Sequence, residues 1–242
     1  GGGGSQPLRG PAGLPVAGVP ANPNPAKVIN LSLGGIGSCS STMQSTINEI
    51  LAAGTTIVAA AGNNGLNTSS FTPANCEGVI TVAATTKNGS RASYSNYGAN
   101  VEISAPGGSS LGYVISTWNN GKTIPGSAAY ATMAGTSMAA PHVSGVVSLL
   151  YSYNPRLVPS QILDALQATA TAFPTGSTCT TATCGSGILN MGNAFNAIMS
   201  SAVDLVSLRA AAGPKAITVK WVTARETDNL GFNIYRSRTV DG

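Results

Sequence analysis

The feature that most constrains this chain is a set of four short, nearly uninterrupted apolar runs, each stopped by turn-forming residues. They are "AKVINLSLGG" (26–35), "TTIVAAAGNNG" (55–65), "GVITVAATT" (78–86) and "VEISAPGG" (101–108). Runs of this length and composition read as strands covered on both faces. Between the first two lies "SSTMQSTINEILAAG" (40–54), where Met43, Ile47, Ile50 and Leu51 recur at helical spacing. Ser40 or Ser41 caps its start and Gly54 ends it. Strand, helix, strand in this order predicts an α/β fold, a parallel sheet with right-handed crossovers flanked by helices. Ligands in such sheets gather at the carboxyl ends of the strands, where "SLGG" and "AGNNG" lie.

Further along, a helix of small residues is expected to start near Ser137 and run to about Tyr153. Others are expected over "PSQILDALQATA" (159–170) and near "GNAFNAIMS" (192–200). Around residue 203 the pattern changes. "AITVKWV" (216–222) puts Ile217, Val219 and Trp221 on one face, the period of a half-buried strand, and "GFNIYRS" (231–237) alternates likewise. Residues 204–242 therefore read as the opening strands of a β-sandwich, similar to the start of a fibronectin type III-like module and too short to close a core of their own. The opening residues 1–9, beginning "GGGGS", have the composition of a linker or a non-native start. That leaves 10–203 as the main domain, and the whole reads as an excerpt of a longer protein.

Composition removes several function classes. Hydrophobic residues make up 43% and charged residues only 8%, enough apolar material for a core and too much for a disordered chain. The net charge is +4, yet the basic residues are scattered up to residue 203 and alternate with apolar ones after it. Nucleic-acid binding needs them clustered, so it is not expected. No apolar run approaches a membrane span, so no membrane partner is expected either.

The four cysteines (Cys39, Cys76, Cys179, Cys184) lack zinc-site spacing, and one histidine alone could assist them; no metal site is expected. Four buried thiols are one reading. Two disulfides of an exported protein are the preferred one, with Cys39–Cys76 and Cys179–Cys184 the expected pairing. In chain-entropy terms the two bridges contribute at most about 4 and about 2 kcal/mol.

The densest chemistry lies in "GTSMAAPHVSG" (135–145). Ser137 is placed at the amino end of a helix, where unpaired N–H groups and the helix dipole favour negative charge. Pro141 is expected within the first turn, where its missing N–H is harmless. A serine at a helix start is usually only a cap. His142, the single histidine, is no partner for it: five helical residues carry its ring about 140° around the axis and about 7.5 Å along it. A general base must come within about 3.2 Å of the proton it takes.

The longer context decides the reading. "GTSMAAPHVSG", preceded by "VINLSLGG" and "VAAAGNNG" in that order, resembles the subtilisin-like serine peptidases of the secreted bacterial branch, and the likeness covers roughly residues 10–200. The resemblance implies a serine endopeptidase. Ser137 would be its nucleophile and the backbone N–H of Ser137 one oxyanion donor. Asn63 would be the side-chain donor, stabilising the tetrahedral intermediate more than the substrate. Ser32, Leu33, Gly34 and Gly35 would pair with an extended peptide as an added strand, and Ala60, Ala61 and Gly62 would form the facing wall. A Cys39–Cys76 bridge would hold these walls in register. His142 matches a structural position of the family.

The family's base and acid stand in a His-Gly-Thr type and an Asp-Ser/Thr-Gly segment upstream of the substrate strand. No His precedes His142 and no Asp precedes Asp164. The expectation is half of an active site, inactive alone, belonging to a secreted monomeric protease acting on proteins or peptides. No cofactor is implied within the chain, though calcium fits a full-length member. A peptide-binding relic without catalysis is the alternative, and a third reading makes the β-module the main function.

Overall fold

The computed structural model describes residues 24–200, 203–214 and 217–226. The chain divides into two compact units between Ala194 and Phe195. In the first, strands β1 (Val28–Leu31), β3 (Thr56–Ala60), β5 (Ile80–Thr85) and β6 (Ile103–Pro106) form a four-stranded parallel sheet in the order β1-β3-β5-β6. The register pairs Val28 with Thr56, Val58 with Ile80 and Val82 with Ile103. The four runs thus form the expected parallel sheet. Every residue of β3 and β5 is buried, which is why neither shows a polar face in sequence.

Helix α1 (Ser41–Ala52) follows a short strand, β2 (Gly35–Ile36), and returns the chain to β3. Ser40 caps it, accepting from the Met43 N–H at 3.2 Å. Gly54, at φ +80°, lets the chain leave where a side chain would be strained. Ile47 packs with Ile57, Ala59, Cys76 and Val79 on this side of the sheet. The alternate residues of β3 face the opposite side, where Thr56 Oγ1 and Tyr151 Oη are 2.8 Å apart. Tyr151 belongs to α2 (Thr136–Tyr153), which packs across all four strands and buries Val143, Val147 and Leu150. Each such side chain contributes about 1.5–3 kcal/mol by leaving water.

Two pairings escaped the sequence reading. β2 pairs antiparallel with β4 (Phe71–Thr72), and β7 (Val114–Asn119) pairs antiparallel with β8 (Ala128–Met133) in a hairpin leading into α2. Both disulfides form as expected, Cys39–Cys76 and Cys179–Cys184, with Cα separations of 5.3 and 5.4 Å. Helix α3 (Pro159–Thr169) and helix α4 (Met191–Ser200) stand within a residue or so of their expected bounds.

The second unit contains an antiparallel pair, β9 (Val203–Ala212) and β10 (Ile217–Glu226), bulged near Thr223. In β10, Val219 and Trp221 are half-buried while Ile217 is exposed. "GFNIYRS" and the opening nine residues lie outside the described residues.

Candidate active site

Three chain segments meet at the carboxyl end of β1 and β3: the turn after β1, the turn after β3, and the start of α2. They line an open cleft of about 390 Å³. Its lining includes Ser32, Leu33, Gly34 and Gly35 from the first segment, Ala60, Gly62, Asn63 and Asn64 from the second, and Thr136 and Ser137 from the third. None of the lining residues is ionisable. Ala61 departs from the expected set: it is fully buried against Ala83 and Val101 and does not line the cleft. The Ala61 side chain packs with Ala83 and Val101, away from the cleft that Ala60 and Gly62 line.

Ser137 is the second residue of α2, among the first-turn N–H groups that a helix leaves without an internal partner. Gly135 before it is buried and extended, and has no side chain to cap the helix. The cap comes from elsewhere. The Thr136 N–H and the Thr136 hydroxyl both donate to Asn63 Oδ1 at 2.8 Å. The Gly62 N–H donates in turn to Thr136 Oγ1 at 3.1 Å. With Oδ1 so engaged, the Asn63 amide is oriented and its Nδ2 hydrogens are left for another acceptor. Thr136, fully buried, is the residue that holds this orientation. Its position in the motif was visible in sequence, but its partner was 73 residues away.

A second clasp holds the loop that carries Asn63. Asn96 is wholly buried, donates through Nδ2 to the Ala61 carbonyl (2.8 Å), and accepts from the N–H groups of Asn64 and Leu66 (3.0 and 2.9 Å). Its own N–H donates to the Gly62 carbonyl. No local signal in "SYSNYG" marks Asn96 for this work, because its partners in that loop lie about thirty residues earlier.

Pro141 requires a correction. It is the sixth residue of α2 and stands in the second turn, not the first. The N–H it lacks would have served the Ser137 carbonyl. Ser32 Oγ supplies the missing donor, 2.9 Å from that carbonyl, and Ser137 Oγ donates back to the Ser32 carbonyl at 3.3 Å. The nucleophile candidate and the first cleft wall are therefore joined in both directions. His142 turns away, its Nδ1 bonded to the Met138 carbonyl at 2.7 Å.

The hairpin's exit is anchored as well. The Gly135 N–H donates to the Gly107 carbonyl at 2.9 Å, and the Tyr94 hydroxyl donates into the carbonyls of Gly107 and Gly108. Burial pushes the Tyr94 phenol up to about 12, partly opposed by the Gly135 N–H. Among the described residues, no group of three His, Cys, Asp or Glu side chains gathers to hold a metal. No described helix is long and apolar enough to cross a membrane.

Comparison with known proteins agrees with this arrangement. Residues 13–191 match the model of the subtilase family, peptidase S8. The chain is 52% identical over 190 residues to an extracellular protease of Xanthomonas campestris pv. campestris, covering 78% of this chain and 32% of that protein. It is 42% identical to an extracellular basic protease of Dichelobacter nodosus, covering 78% and 31%. Among solved structures, a protease of Pseudoalteromonas arctica PAMC 21717 superposes with a TM-score of 0.71 at 47% identity, over 78% of this chain and 56% of that one. The chain thus spans about a third of the length of these curated relatives. With residues 13–191 matched to the family's model and relatives of 42–52% identity over most of this chain, the chain belongs to the subtilase family.

Proposed function

We propose that the protein to which this chain contributes is a secreted serine endopeptidase, with Ser137 as nucleophile and with Asn63 and the Ser137 N–H as oxyanion donors. The observation that carries this reading is the tethered Asn63 amide. Thr136 occupies its oxygen twice, which leaves the nitrogen for another acceptor in the cleft that Ser137 also lines. A donor already fixed in place stabilises charge that appears only in the transition state, without reorganising as the reaction proceeds. Ser137 Oγ attacks the peptide carbonyl and the oxyanion forms against Asn63 Nδ2; its collapse breaks the C–N bond, leaving an acyl-enzyme on Ser137 and releasing the amine, which takes up the proton the serine gave. The base that takes the serine proton and the acid that orients it stand outside this chain's residues, since its one histidine, His142, does not line the cleft that holds Ser137. By this reading the chain alone is inactive.

Within the same proposal, residues 32–35 pair with the substrate backbone on one side, and Ala60 and Gly62 face it on the other. Ala61 contributes only its place in the wall's backbone. Residues 10–203 form the peptidase part, and 204–242 open a β-sandwich of fibronectin type III-like kind. The protein works as a monomer on protein or peptide substrates outside the cell. This reading calls for no cofactor within the chain, and calcium fits a full-length member. Extracellular relatives and two disulfides support the location.

The test is to read the coding DNA upstream of Gly1 for an Asp-Ser/Thr-Gly and a later His-Gly-Thr segment, then to assay the full-length protein with and without Ser137→Ala. Hydrolysis abolished by the substitution supports the reading. A full-length protein that binds peptides and hydrolyses none overturns it in favour of a binding relic.

A further inference from the structure

Asn96 meets the loop that carries Asn63 on both sides of that residue. Its Nδ2 donates to the Ala61 carbonyl and its N–H to the Gly62 carbonyl, the two carbonyls just before Asn63. Its Oδ1 accepts from the N–H groups of Asn64 and Leu66, just after it. A single wholly buried side chain thus bridges the segments that enter and leave Asn63. An amide suits this place because it carries a donor and a two-lone-pair acceptor side by side. Gly62 leaves the room: a Cβ there would collide with the Asn96 amide nitrogen. Asn96 is in turn tied to the sheet. Its neighbour Ser95 accepts through Oγ from the Ala84 N–H, in the fully buried strand β5, at 3.0 Å, and the Arg91 guanidinium donates to the Ser95 carbonyl. On either side of Asn96, the Gly65 N–H donates to the Tyr94 carbonyl at 2.8 Å and the Tyr97 N–H to the Leu66 carbonyl at 3.0 Å. A continuous set of bonds therefore runs from a buried strand to the residues beside Asn63.

Thr136 fixes which way the Asn63 amide points, but it holds only the side-chain oxygen. The backbone on which that amide stands is held by Asn96. We propose that Asn96 is a positioning residue for the reaction: it sets the place of the Asn63 backbone, and through it the place of Asn63 Nδ2 against the developing oxyanion. This rests on the serine-protease reading above and deepens it. Asn96 is not among the residues that line the cleft, so its effect passes through Asn63. A misplacement of about 1 Å at a reacting centre can cost about 100-fold in rate. Loosening the clasp therefore acts on turnover, whereas the segment 32–35, which pairs with the peptide in the proposed function, shares no bond with Asn96.

The experiment uses the full-length protease and a tetrapeptide anilide, and measures kcat and KM for Asn96→Asp, alone and combined with Asn63→Ala. Asn96→Asp keeps the size of the side chain and the acceptor for Asn64 and Leu66, and replaces the donor to Ala61 by an acceptor. The expected result is a kcat lowered about tenfold or more, with KM changed by less than about threefold. In the Asn63→Ala background the same substitution should change kcat by less than about twofold, because residues that act as a unit do not contribute additively. An unchanged kcat overturns the proposal, whether or not KM moves. An equal loss in both backgrounds overturns it too, since Asn96 would then serve general stability and not Asn63. If Asn96→Asp does not fold, Asn96→Ser is judged by the same two comparisons. If the unsubstituted protein cleaves no anilide, the protease reading fails separately, and the side-chain amide NMR signals of Asn63 judge the clasp. Signals shifted or broadened by Asn96→Asp support it, and unchanged signals overturn it.

Discussion

Strands β3 and β5 and the hairpin β7–β8 have similar lengths and similar shares of apolar residues, yet their surroundings are opposite. Every residue of β3 and β5 is buried. In the hairpin, Ile115 is 66% exposed and Tyr130 76% exposed, with Trp118 and Met133 also open. Helix α2 covers one face of both central strands and α1 the other face of β3, whereas the hairpin holds its register through its own ladder from Val114–Met133 to Asn119–Ala128. Both regions nevertheless deliver residues to the same site. Asn63 follows β3, and Ser137 follows β8 by four residues. The precision at Ser137 therefore comes from anchors outside the hairpin: Gly107 on the Gly135 N–H, Asn63 on Thr136, and Ser32 on the Ser137 carbonyl. An element with little burial can present a reactive residue if its end is tied to one that is fully buried.

Substitutions should separate the two regions sharply. Leu150→Ala, under the sheet, should lower unfolding free energy by about 2–5 kcal/mol in urea denaturation, because the cavity cannot collapse between α2 and the strands. Asn63→Ala should lower kcat/KM of the full-length protein by about 10²–10³, or about 2.7–4 kcal/mol, mostly in kcat. That magnitude was measured on subtilisin, a member of this same family. An effect confined to KM would mean that Asn63 serves substrate binding alone.

Ser32→Ala removes the donor to the Ser137 carbonyl and should cost about 1 kcal/mol of stability. Adding Pro141→Ala restores a helical N–H to that carbonyl, so the double variant should recover most of the loss. If the two losses simply add, Ser32 is not standing in for the missing proline N–H.

The Tyr94 phenol sharpens the comparison at alkaline pH. Its folded value is raised above its ordinary value of 10, so the stability linked to its proton is fully present below about pH 10. That stability is lost as pH rises from 10 through about 12. Tyr94→Phe should flatten that part of the stability curve, as followed by thermal unfolding between pH 9 and 12. Ile115→Ala, on the open hairpin, should change stability by no more than about 0.5 kcal/mol. A larger loss there would show that the hairpin face is covered in the full-length protein.

The sheet was legible because buried parallel strands carry their signature locally, as continuous apolar runs bounded by turns. α1 was legible for a similar reason, through its spacing and its Ser40 cap. Ser137 and Asn63 were legible because their motifs are long. Pro141 was misplaced by one turn, since nothing in "GTSMAAPHVSG" marks which residue is the first in the helix. Ala61 was taken as cleft wall because it sits inside a motif, and motifs do not record which way an extended residue faces.

The sequence by itself determined the alternation of buried strands and helices, the place of the serine at a helix start, and the family those patterns resemble. Tertiary structure alone decided which groups surround that serine. The partners of Ser137, Asn63 and Thr136 lie 105 or 73 residues away, and Asn96 acts on a loop reached only when the sheet closes. Such contacts depend on how far apart chain segments end up in space, and local sequence patterns carry information about neighbours along the chain only.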